Sequence, residues 1–336
     1  MAAMIHTPAL RASGSLFGLA YGDALGKPTE FLTVAEIERR YGPTGPRELS
    51  GEPVLVTDDT QMALAVGWAL HEAQSFTPEA VQPLLRQRFL AWAISPDNNR
   101  APGMTCLRAC AELSRGVRWQ EASVVDSKGC GANMRVTPVG LLDVDLDTLA
   151  GLAQLQAGLT HGHPTGLAAS ELTAYAVFAL RAGATLPELP AVLTERALAQ
   201  RLIYRERWLG DLWQRAGSRS PEAFIAQGWD ECLAVLGRLT SALGQPDDGG
   251  DPCRVTGEGW VAEEALATAL LCAVRHADDP VAALARGATT AGDSDSIAAL
   301  AGAFVGAAVG MTAWPREWAN RIEYADQLAT LGAAWD

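Results

Sequence analysis

Apolar residues recur along this chain with the three-to-four-residue spacing of buried or amphipathic α-helices. No segment shows a convincing strand pattern, and no repeat of fixed period is present. The pattern therefore predicts a single all-α domain over residues 1–336. The predicted helices cover about residues 10–20, 61–70, 78–92, 104–113, 134–143, 147–158, 165–183, 187–201, 220–243, 260–276, 278–286, 294–312 and 316–331.

The most apolar stretch runs from Ile297 to Trp314 without a charged residue. Its length is near the lower limit for a membrane span, but it consists mainly of alanine and glycine, and Pro315 and Arg316 follow at once. Gly302, Gly306 and Gly310 recur every four residues and leave one smooth helix face. We expect a central buried helix here rather than a membrane span.

Net charge, cysteine spacing and the N-terminal sequence limit which partners and which compartment we expect. The net charge is -13, which argues against sequence-independent nucleic-acid binding, although a small phosphate ligand remains compatible with it. Six cysteines show no CxxC pair, and the N-terminus lacks the pattern of a signal peptide, so we expect a cytoplasmic protein with reduced thiols. Cys106 and Cys110 could share a metal, but two buried residues on one helix face are the simpler interpretation.

Two polar clusters stand directly before apolar helical runs. The first is Thr57-Asp58-Asp59-Thr60, and the second is Gly292-Asp293-Ser294-Asp295-Ser296. Either alone is typical of a helix cap. Together they offer the hard oxygen ligands that Mg²⁺, Mn²⁺ or Ca²⁺ prefer, and two divalent cations would neutralise four carboxylates. We therefore predict one paired metal site formed by both clusters.

Three further features carry candidate chemistry. Glu30 lies in a segment interrupted by glycine and proline, where Pro28, Pro43 and Pro46 predict irregular structure. That setting suits a carboxylate on a mobile flap. The glycine-rich loop 127–131 precedes a predicted helix, an arrangement that lets backbone amides approach a phosphate. His161 and His163 lie in another loop, and their spacing of two disfavours a shared metal.

These residues, in this order, resemble the ADP-ribosylglycohydrolase family, whose founding bacterial member reactivates dinitrogenase reductase. The resemblance extends from about residue 12 to residue 312. It is carried by Gly18-x-x-x-Gly22-Asp23-Ala24-Leu25-Gly26-x-Pro28-x-Glu30, Thr57-Asp58-Asp59-Thr60, Ser127-x-Gly129-x-Gly131-x-x-Met134-Arg135-x-x-Pro138-x-Gly140, Thr160-His161 with Pro164, and Gly292-Asp293-x-Asp295.

The resemblance implies a compact orthogonal helical bundle with two Mg²⁺ or Mn²⁺ ions in a cleft, and hydrolysis that releases ADP-ribose from a modified side chain by attack of water at ribose C1″. Glu30 matches a flap glutamate that gates the site, and His161 would lie near the ADP-ribose. The metal ligands implied are Thr57, Asp58, Asp59, Asp293, Asp295 and Ser296. The carboxylates expected nearest the chemistry are Glu30, Asp58 and Asp59. The residues expected to cradle the diphosphate are Ser127, Lys128, Gly129, Cys130 and Gly131.

The chain departs from the family pattern at four positions. Ser296 stands where threonine is usual, and Ala291 where glycine is usual. Lys128 occupies a position that is often aromatic and could contact a phosphate, while Cys130 replaces an asparagine. These changes bear on substrate preference more than on catalysis.

Several functions remain open at this stage. ADP-ribose linked to arginine is the favoured candidate substrate. Serine-linked, nucleic-acid-linked and small-molecule conjugates of ADP-ribose are alternatives, and nucleic acid is otherwise not expected as a partner. A catalytically silent ADP-ribose-binding protein and a metal-dependent phosphohydrolase are the two other classes of function.

Overall fold

The computed structural model describes residues 9–336, and within them regular structure is almost entirely α-helical. The only β pairing in this part of the chain consists of isolated bridges, such as Gly129 with Val261. The all-α class expected from the sequence is confirmed. The first nine helices are α1 Arg11–Gly26, α2 Val34–Tyr41, α3 Asp58–Glu72, α4 Pro78–Ala93, α5 Met104–Ser114, α6 Trp119–Ala122, α7 Thr137–Gly140, α8 Leu146–Gly158 and α9 Pro164–Arg181. The remaining nine are α10 Leu189–Gln200, α11 Glu206–Leu209, α12 Leu212–Arg215, α13 Pro221–Leu243, α14 Cys253–Thr256, α15 Ala262–Arg275, α16 Pro280–Gly287, α17 Ser294–Val309 and α18 Ala325–Trp335.

Helices α1 and α17 form the centre of the fold and pack antiparallel along two rows of small residues. A Cβ atom at Gly18 would lie 2.3 Å from the carbonyl oxygen of Gly302, and one at Gly22 would lie 2.0 Å from that of Ala298. Only glycine allows the two backbones to approach so closely. This register brings Gly26, at the end of α1, against Asp295 at the start of α17.

Helix α17 is the central buried helix that the sequence predicts. In residues 9–336, no helix is both long enough and apolar enough to cross a membrane. One continuous cluster of buried side chains reaches from Ala12 in α1 to Leu331 in α18. This continuous core supports the prediction of a single domain, and the number of domains stays a prediction. The N-terminal residues 1–8, on which the expectation of no signal peptide partly depends, lie outside the described residues.

Four sequence-predicted segments differ from the observed structure. Helix α1 continues beyond the predicted end near residue 20 to Gly26, because α17 covers its glycines. Helix α2 forms in a stretch predicted to be irregular, where Thr33 and Glu36 make a reciprocal capping box. The helix predicted over 134–143 is limited to α7, and the one predicted over 316–331 is interrupted by Tyr324 in a left-handed conformation before α18 begins.

The cysteines agree with the expectation of unpaired, buried thiols. All six are free and buried. The sulfur of Cys106 lies 3.5 Å from a guanidinium nitrogen of Arg135, and the sulfur of Cys110 lies 3.7 Å from the carbonyl oxygen of Phe89. Each thiol therefore has its own protein neighbours.

Candidate functional site

Three distant chain segments meet at a cavity of about 370 Å³. Glu30 comes from the turn after α1, Asp58 and Asp59 from the first turn of α3, and the segment 293–296 from the start of α17. One carboxylate oxygen from each of Glu30, Asp293 and Asp295 lies within 4.8 Å of the others. The two clusters that lie more than two hundred residues apart in sequence thus face one cavity.

The four aspartates of this cavity are almost excluded from solvent. Asp58, Asp59, Asp293 and Asp295 are 7%, 2%, 7% and 4% exposed. The ion pairs found in residues 9–336 all involve other carboxylates. Buried carboxylates without a basic partner are costly unless protons or cations neutralise them. The protein therefore concentrates uncompensated negative charge at this point.

The pKa values of these carboxyl groups show the same cost of burying negative charge. Burial is the largest cause that raises the pKa of all four aspartates, and the Asp295 charge further raises those of Asp58, Asp59 and Asp293. Burial, followed by the charge of Asp295, raises the pKa of Glu30 to about 8. Oxygen Oδ2 of Asp59 is buried and accepts no hydrogen bond. These buried carboxylate oxygens, one of which has no hydrogen-bond partner, are of the type that binds divalent cations.

A second layer of contacts orients these carboxylates. Asp58 accepts a hydrogen bond from the backbone N–H of Gly103 at 3.0 Å. Thr57 caps α3, accepting from the N–H of Asp59 at 3.3 Å. Ser296 lines the cavity, and its N–H donates to Asp295 at 3.0 Å. Thr57 itself does not line the cavity, and its observed role is to cap the helix whose first turn carries Asp58 and Asp59.

Asp23 belongs to the motif that carries the family resemblance, but the sequence predicted no role for it, and it supports the site without lining the cavity. It is fully buried in α1 and accepts hydrogen bonds from the backbone N–H groups of Thr57 and Thr60 and from the Thr60 hydroxyl. It thereby fixes the start of α3 next to the end of α1. A lone carboxylate inside an otherwise apolar helix was the available signal, because such a group is rarely buried without a function.

The glycine-rich loop also lines this cavity. Gly129, Cys130 and Gly131 line it directly. The Ser127 hydroxyl lies 3.0 Å from that of Thr105, which also lines the cavity. Lys128 does not belong to the lining, because its ammonium group lies between Glu231 and Glu263. The structure thus brings four of the five predicted loop residues to the cavity or its edge.

His161 lines the cavity beside this loop, whereas His163 does not. Burial, followed by the charge of Arg135, lowers the pKa of His161 to about 3, so its imidazole is neutral. Its Nδ1 lies 2.8 Å from the hydroxyl of Thr160. His163 instead caps α9 by accepting from the N–H of Thr165 at 3.2 Å. The two histidines have separate surroundings, as their spacing indicated.

An aromatic pair at the cavity lining was also missed from the sequence. The rings of Phe31 and Trp260 stack with centroids 5.7 Å apart and planes 13° from parallel. Both residues are exposed and line the cavity. Phe31 directly follows Glu30 and has a φ of 65°, which is uncommon for a bulky residue. Only the fold shows that these two residues meet.

Comparison with known proteins places the whole chain in one group. The sequence model of a family described as ADP-ribosylglycohydrolase matches residues 4–335. An ADP-ribosyl-[dinitrogen reductase] glycohydrolase from Rhodospirillum rubrum is 36% identical over 170 residues, 47% of this chain and 54% of that protein. An uncharacterized protein from Archaeoglobus fulgidus is 36% identical over 162 residues, 46% of this chain and 49% of that protein. These two matches span about half the length of the relatives.

Longer but weaker matches cover nearly the whole chain. The ADP-ribosylhydrolase ARH3 of Homo sapiens is 26% identical over 339 residues, 93% of this chain and 89% of that protein. A solved structure titled ADP-ribosylglycohydrolase-related protein complex superposes with a TM-score of 0.68 at 24% identity, covering 97% of each chain. This structural likeness shows that the fold is shared.

Proposed function

Because this chain belongs to the ADP-ribosylglycohydrolase family, we propose that it is a cation-dependent hydrolase that releases ADP-ribose from an ADP-ribosylated side chain. The family and its named relatives are hydrolases of glycosidic bonds to ADP-ribose. The observation that carries the proposal is the convergence of four buried aspartates and Glu30 on one cavity that is also lined by a glycine-rich loop. That arrangement provides an acidic end for a ribose and a backbone-lined end for a diphosphate.

The residues proposed to hold the cations are the two polar clusters. Asp59 contributes the buried oxygen that lacks a partner, which is the strongest reason to place an ion there. Two Mg²⁺ or Mn²⁺ ions bound in the cavity would neutralise the aspartates and supply Lewis-acid stabilisation of the bound ribose. The full proposed set is Thr57, Asp58, Asp59, Asp293, Asp295 and Ser296.

Glu30, Asp58 and Asp59 are proposed to act at the reacting carbon. Water forms a bond to ribose C1″ while the bond from C1″ to the modified side chain breaks, and that side chain leaves with a proton. The ribose gains positive charge in the transition state, so carboxylates held close to it are stabilising. Glu30 is half-buried and lines the cavity within reach of Asp293 and Asp295, a position that suits a group which accepts and returns a proton.

The loop and His161 are proposed to hold the rest of the substrate. Gly129 and Gly131 lack side chains, so a diphosphate can approach their backbone. The neutral His161 beside them can donate one hydrogen bond without adding charge. The Ser127 and Thr105 hydroxyls at the same wall offer further polar contacts.

An arginine-linked conjugate leads among the proposed substrates, with serine-linked, nucleic-acid-linked and small-molecule conjugates as alternatives. A cytoplasmic location is part of the proposal, since all six cysteines are free thiols. The net charge of -13 leaves nucleic acid as a partner only where it carries ADP-ribose itself.

The test is a product assay on defined substrates. Arginine-linked, serine-linked and nucleic-acid-linked ADP-ribose are each incubated with the protein and Mg²⁺, Mn²⁺ or EDTA, and the products are separated by chromatography. We expect free ADP-ribose from at least one substrate, with none in EDTA. Release of AMP, with ribose phosphate left on the conjugate, would instead identify a phosphohydrolase, and no reaction on any substrate would overturn the proposal.

Variants then test the assignment of residues. Asp58→Ala and Asp295→Ala should each abolish turnover while circular dichroism remains helical. Asp278→Ala removes an exposed carboxylate that does not line the cavity and should leave turnover unchanged. Full activity in both cavity variants would show that the cations are held elsewhere.

A further inference from the structure

Lys128 is the residue of the glycine-rich loop whose side chain leaves the cavity. Its ammonium nitrogen lies 2.7 Å from Oε2 of Glu231 and 2.5 Å from Oε1 of Glu263. The Lys128 side chain is 33% exposed, whereas that of Glu263 is only 6% exposed. The two carboxylates raise the pKa of Lys128 even though burial alone would lower it. The three groups form a charged cluster behind the cavity wall.

This cluster joins the loop to three helices. Glu231 belongs to α13, and Glu263 is the second residue of α15. Glu231 also accepts a hydrogen bond from the hydroxyl of Thr165, in the first turn of α9, at 2.8 Å. Breaking the cluster at Lys128 would therefore loosen the loop from all three helices at once.

Backbone hydrogen bonds also hold this loop against the start of α15. The carbonyl of Lys128 accepts from the N–H of Ala262 at 2.9 Å, and the N–H of Cys130 donates to the carbonyl of Trp260 at 3.0 Å. Glu263 directly follows Ala262, so the side-chain and backbone contacts act on the same pair of segments. Together they determine where Gly129 and Gly131 stand in the cavity wall.

The burial of Glu263 keeps the Lys128 ammonium in place. Its Oε2 is buried without a hydrogen-bond partner, so Lys128 supplies the counter-charge for a carboxylate that has little access to water. If the ammonium moved into the cavity to meet a phosphate, Glu263 would be left as a buried, uncompensated charge. Removing one partner of a buried pair is strongly destabilising, so this movement is unfavourable.

We propose that Lys128 is a positioning residue, which sets the affinity for the ADP-ribosyl group by holding loop 127–131 through Glu231 and Glu263 rather than by touching the substrate. The proposal rests on the proposed function in taking this loop as the diphosphate cradle. It assigns Glu231 and Glu263, on two other helices, to substrate affinity as well.

Steady-state kinetics separate this role from a direct phosphate contact. For Lys128→Met we expect KM to rise about tenfold with kcat within about twofold, a loss of uniform binding. Glu263→Gln should raise KM in the same direction, and the double variant should be no worse than Lys128→Met alone, because both substitutions break one contact. Lys128→Arg should restore most of the affinity, since its guanidinium can reach both carboxylates.

A direct phosphate contact predicts a different pattern. Glu263→Gln would then leave KM unchanged or lower it, because the ammonium would be freed for the substrate, and this result would overturn the positioning role. Asp230→Asn is the matched control. It neutralises the neighbouring residue on α13, whose exposed pair with Arg201 lies outside the cluster, and it should leave KM unchanged.

Hydrogen–deuterium exchange tests the same idea without any reaction. Amides of loop 127–131 should exchange faster in Lys128→Met and in Glu263→Gln than in the wild type, while those of α17 stay protected. Unchanged exchange in both variants would overturn the positioning role even if the enzyme is active. A wild-type protein that neither binds ADP-ribose by calorimetry in Mg²⁺ nor hydrolyses its conjugates would overturn the proposed function, and with it the claim that the loop sets affinity.

Discussion

Both carboxylate oxygens of Asp23 accept a hydrogen bond from the backbone N–H of Thr57, at 2.9 Å and 3.0 Å. The same carboxylate accepts from the N–H of Thr60 at 3.1 Å. A residue in the last turn of α1 thus determines how α3 starts and where the Asp58 and Asp59 side chains lie. The acidic end of the cavity depends on this connection between two helices that are distant in sequence.

Asp23→Asn should weaken cation binding although Asp23 does not line the cavity. Both oxygens of Asp23 contact the N–H of Thr57, so in either orientation the amide NH₂ of asparagine would place a donor against that N–H. Groups that orient ligands of a metal contribute about 10–100-fold to its affinity. Calorimetric titration with Mn²⁺ should show a loss of that size, with Glu79→Gln, an exposed substitution, as the unchanged control. Equal affinity in the Asp23 variant would show that the start of α3 holds its shape unaided.

The candidate cation site was predictable because its signal is local. Short oxygen-bearing residues directly before an apolar run are visible in Thr57–Thr60 and in Gly292–Ser296, and both do start buried helices. The contact of Asp23 with Thr57 depends on tertiary packing, and so does the meeting of Phe31 with Trp260. Spacing along the chain carries no information on such pairs.

Helix boundaries were predictable where packing and local preference agree. The end of α1 was predicted too early because the glycines of the segment 22–26 normally terminate helices. In the structure these glycines let the backbone of α17 approach that of α1. The stability gained from this packing outweighs their low helix propensity. The interruption before α18 depends on the left-handed backbone of Tyr324. It was not predictable, because this position is not a glycine.

Gly302→Ala should destabilise the protein because the α1–α17 approach has no room for a methyl group. A Cβ atom at Gly302 would lie 2.0 Å from the carbonyl oxygen of Gly18. Overpacking of this kind costs about 1–3 kcal/mol, which urea unfolding can measure. Gly237→Ala is the matched control, since a Cβ there meets nothing within 4 Å, and it should stabilise α13 by roughly 0.5–1 kcal/mol. Equal stability of the two variants would mean that the helices can separate without cost.

The cation-free protein should lose stability as the pH rises. The raised pKa values of Glu30, Asp58, Asp59 and Asp293 mean that the native state keeps protons that the unfolded chain releases near pH 4. In EDTA the Tm should therefore be highest in mild acid and fall between about pH 4 and pH 8. Saturating Mg²⁺ replaces the protons and should restore the Tm at pH 8. Identical curves with and without Mg²⁺ would contradict the proposed cation site, and the Asp59→Asn variant should show a smaller decrease in EDTA.

Arg135→Lys should be strongly destabilising although it conserves the charge. The guanidinium is fully buried, donates to the Gln156 side chain at 2.8 Å and to its carbonyl at 2.6 Å, and also reaches the hydroxyl of Thr160 at 2.8 Å. It lies 4.2 Å from the centre of the Phe89 ring. An ammonium group has neither the planar fork nor the stacking face needed for these contacts, so buried acceptors would be left unpaired at about 1–3 kcal/mol each.

The consequence of Arg135→Lys should extend from stability to the site. Thr160 lies between Arg135 and His161, so loss of its donor frees the hydroxyl that orients the imidazole. We expect a free energy of unfolding lower by about 3 kcal/mol in urea and a higher KM for the ADP-ribosyl substrate. Arg115→Lys, at an exposed pair with Glu112, should change neither quantity. A stable Arg135→Lys variant with raised KM would separate the two roles, because it would show that Arg135 serves the orientation of His161 and that the core tolerates its loss.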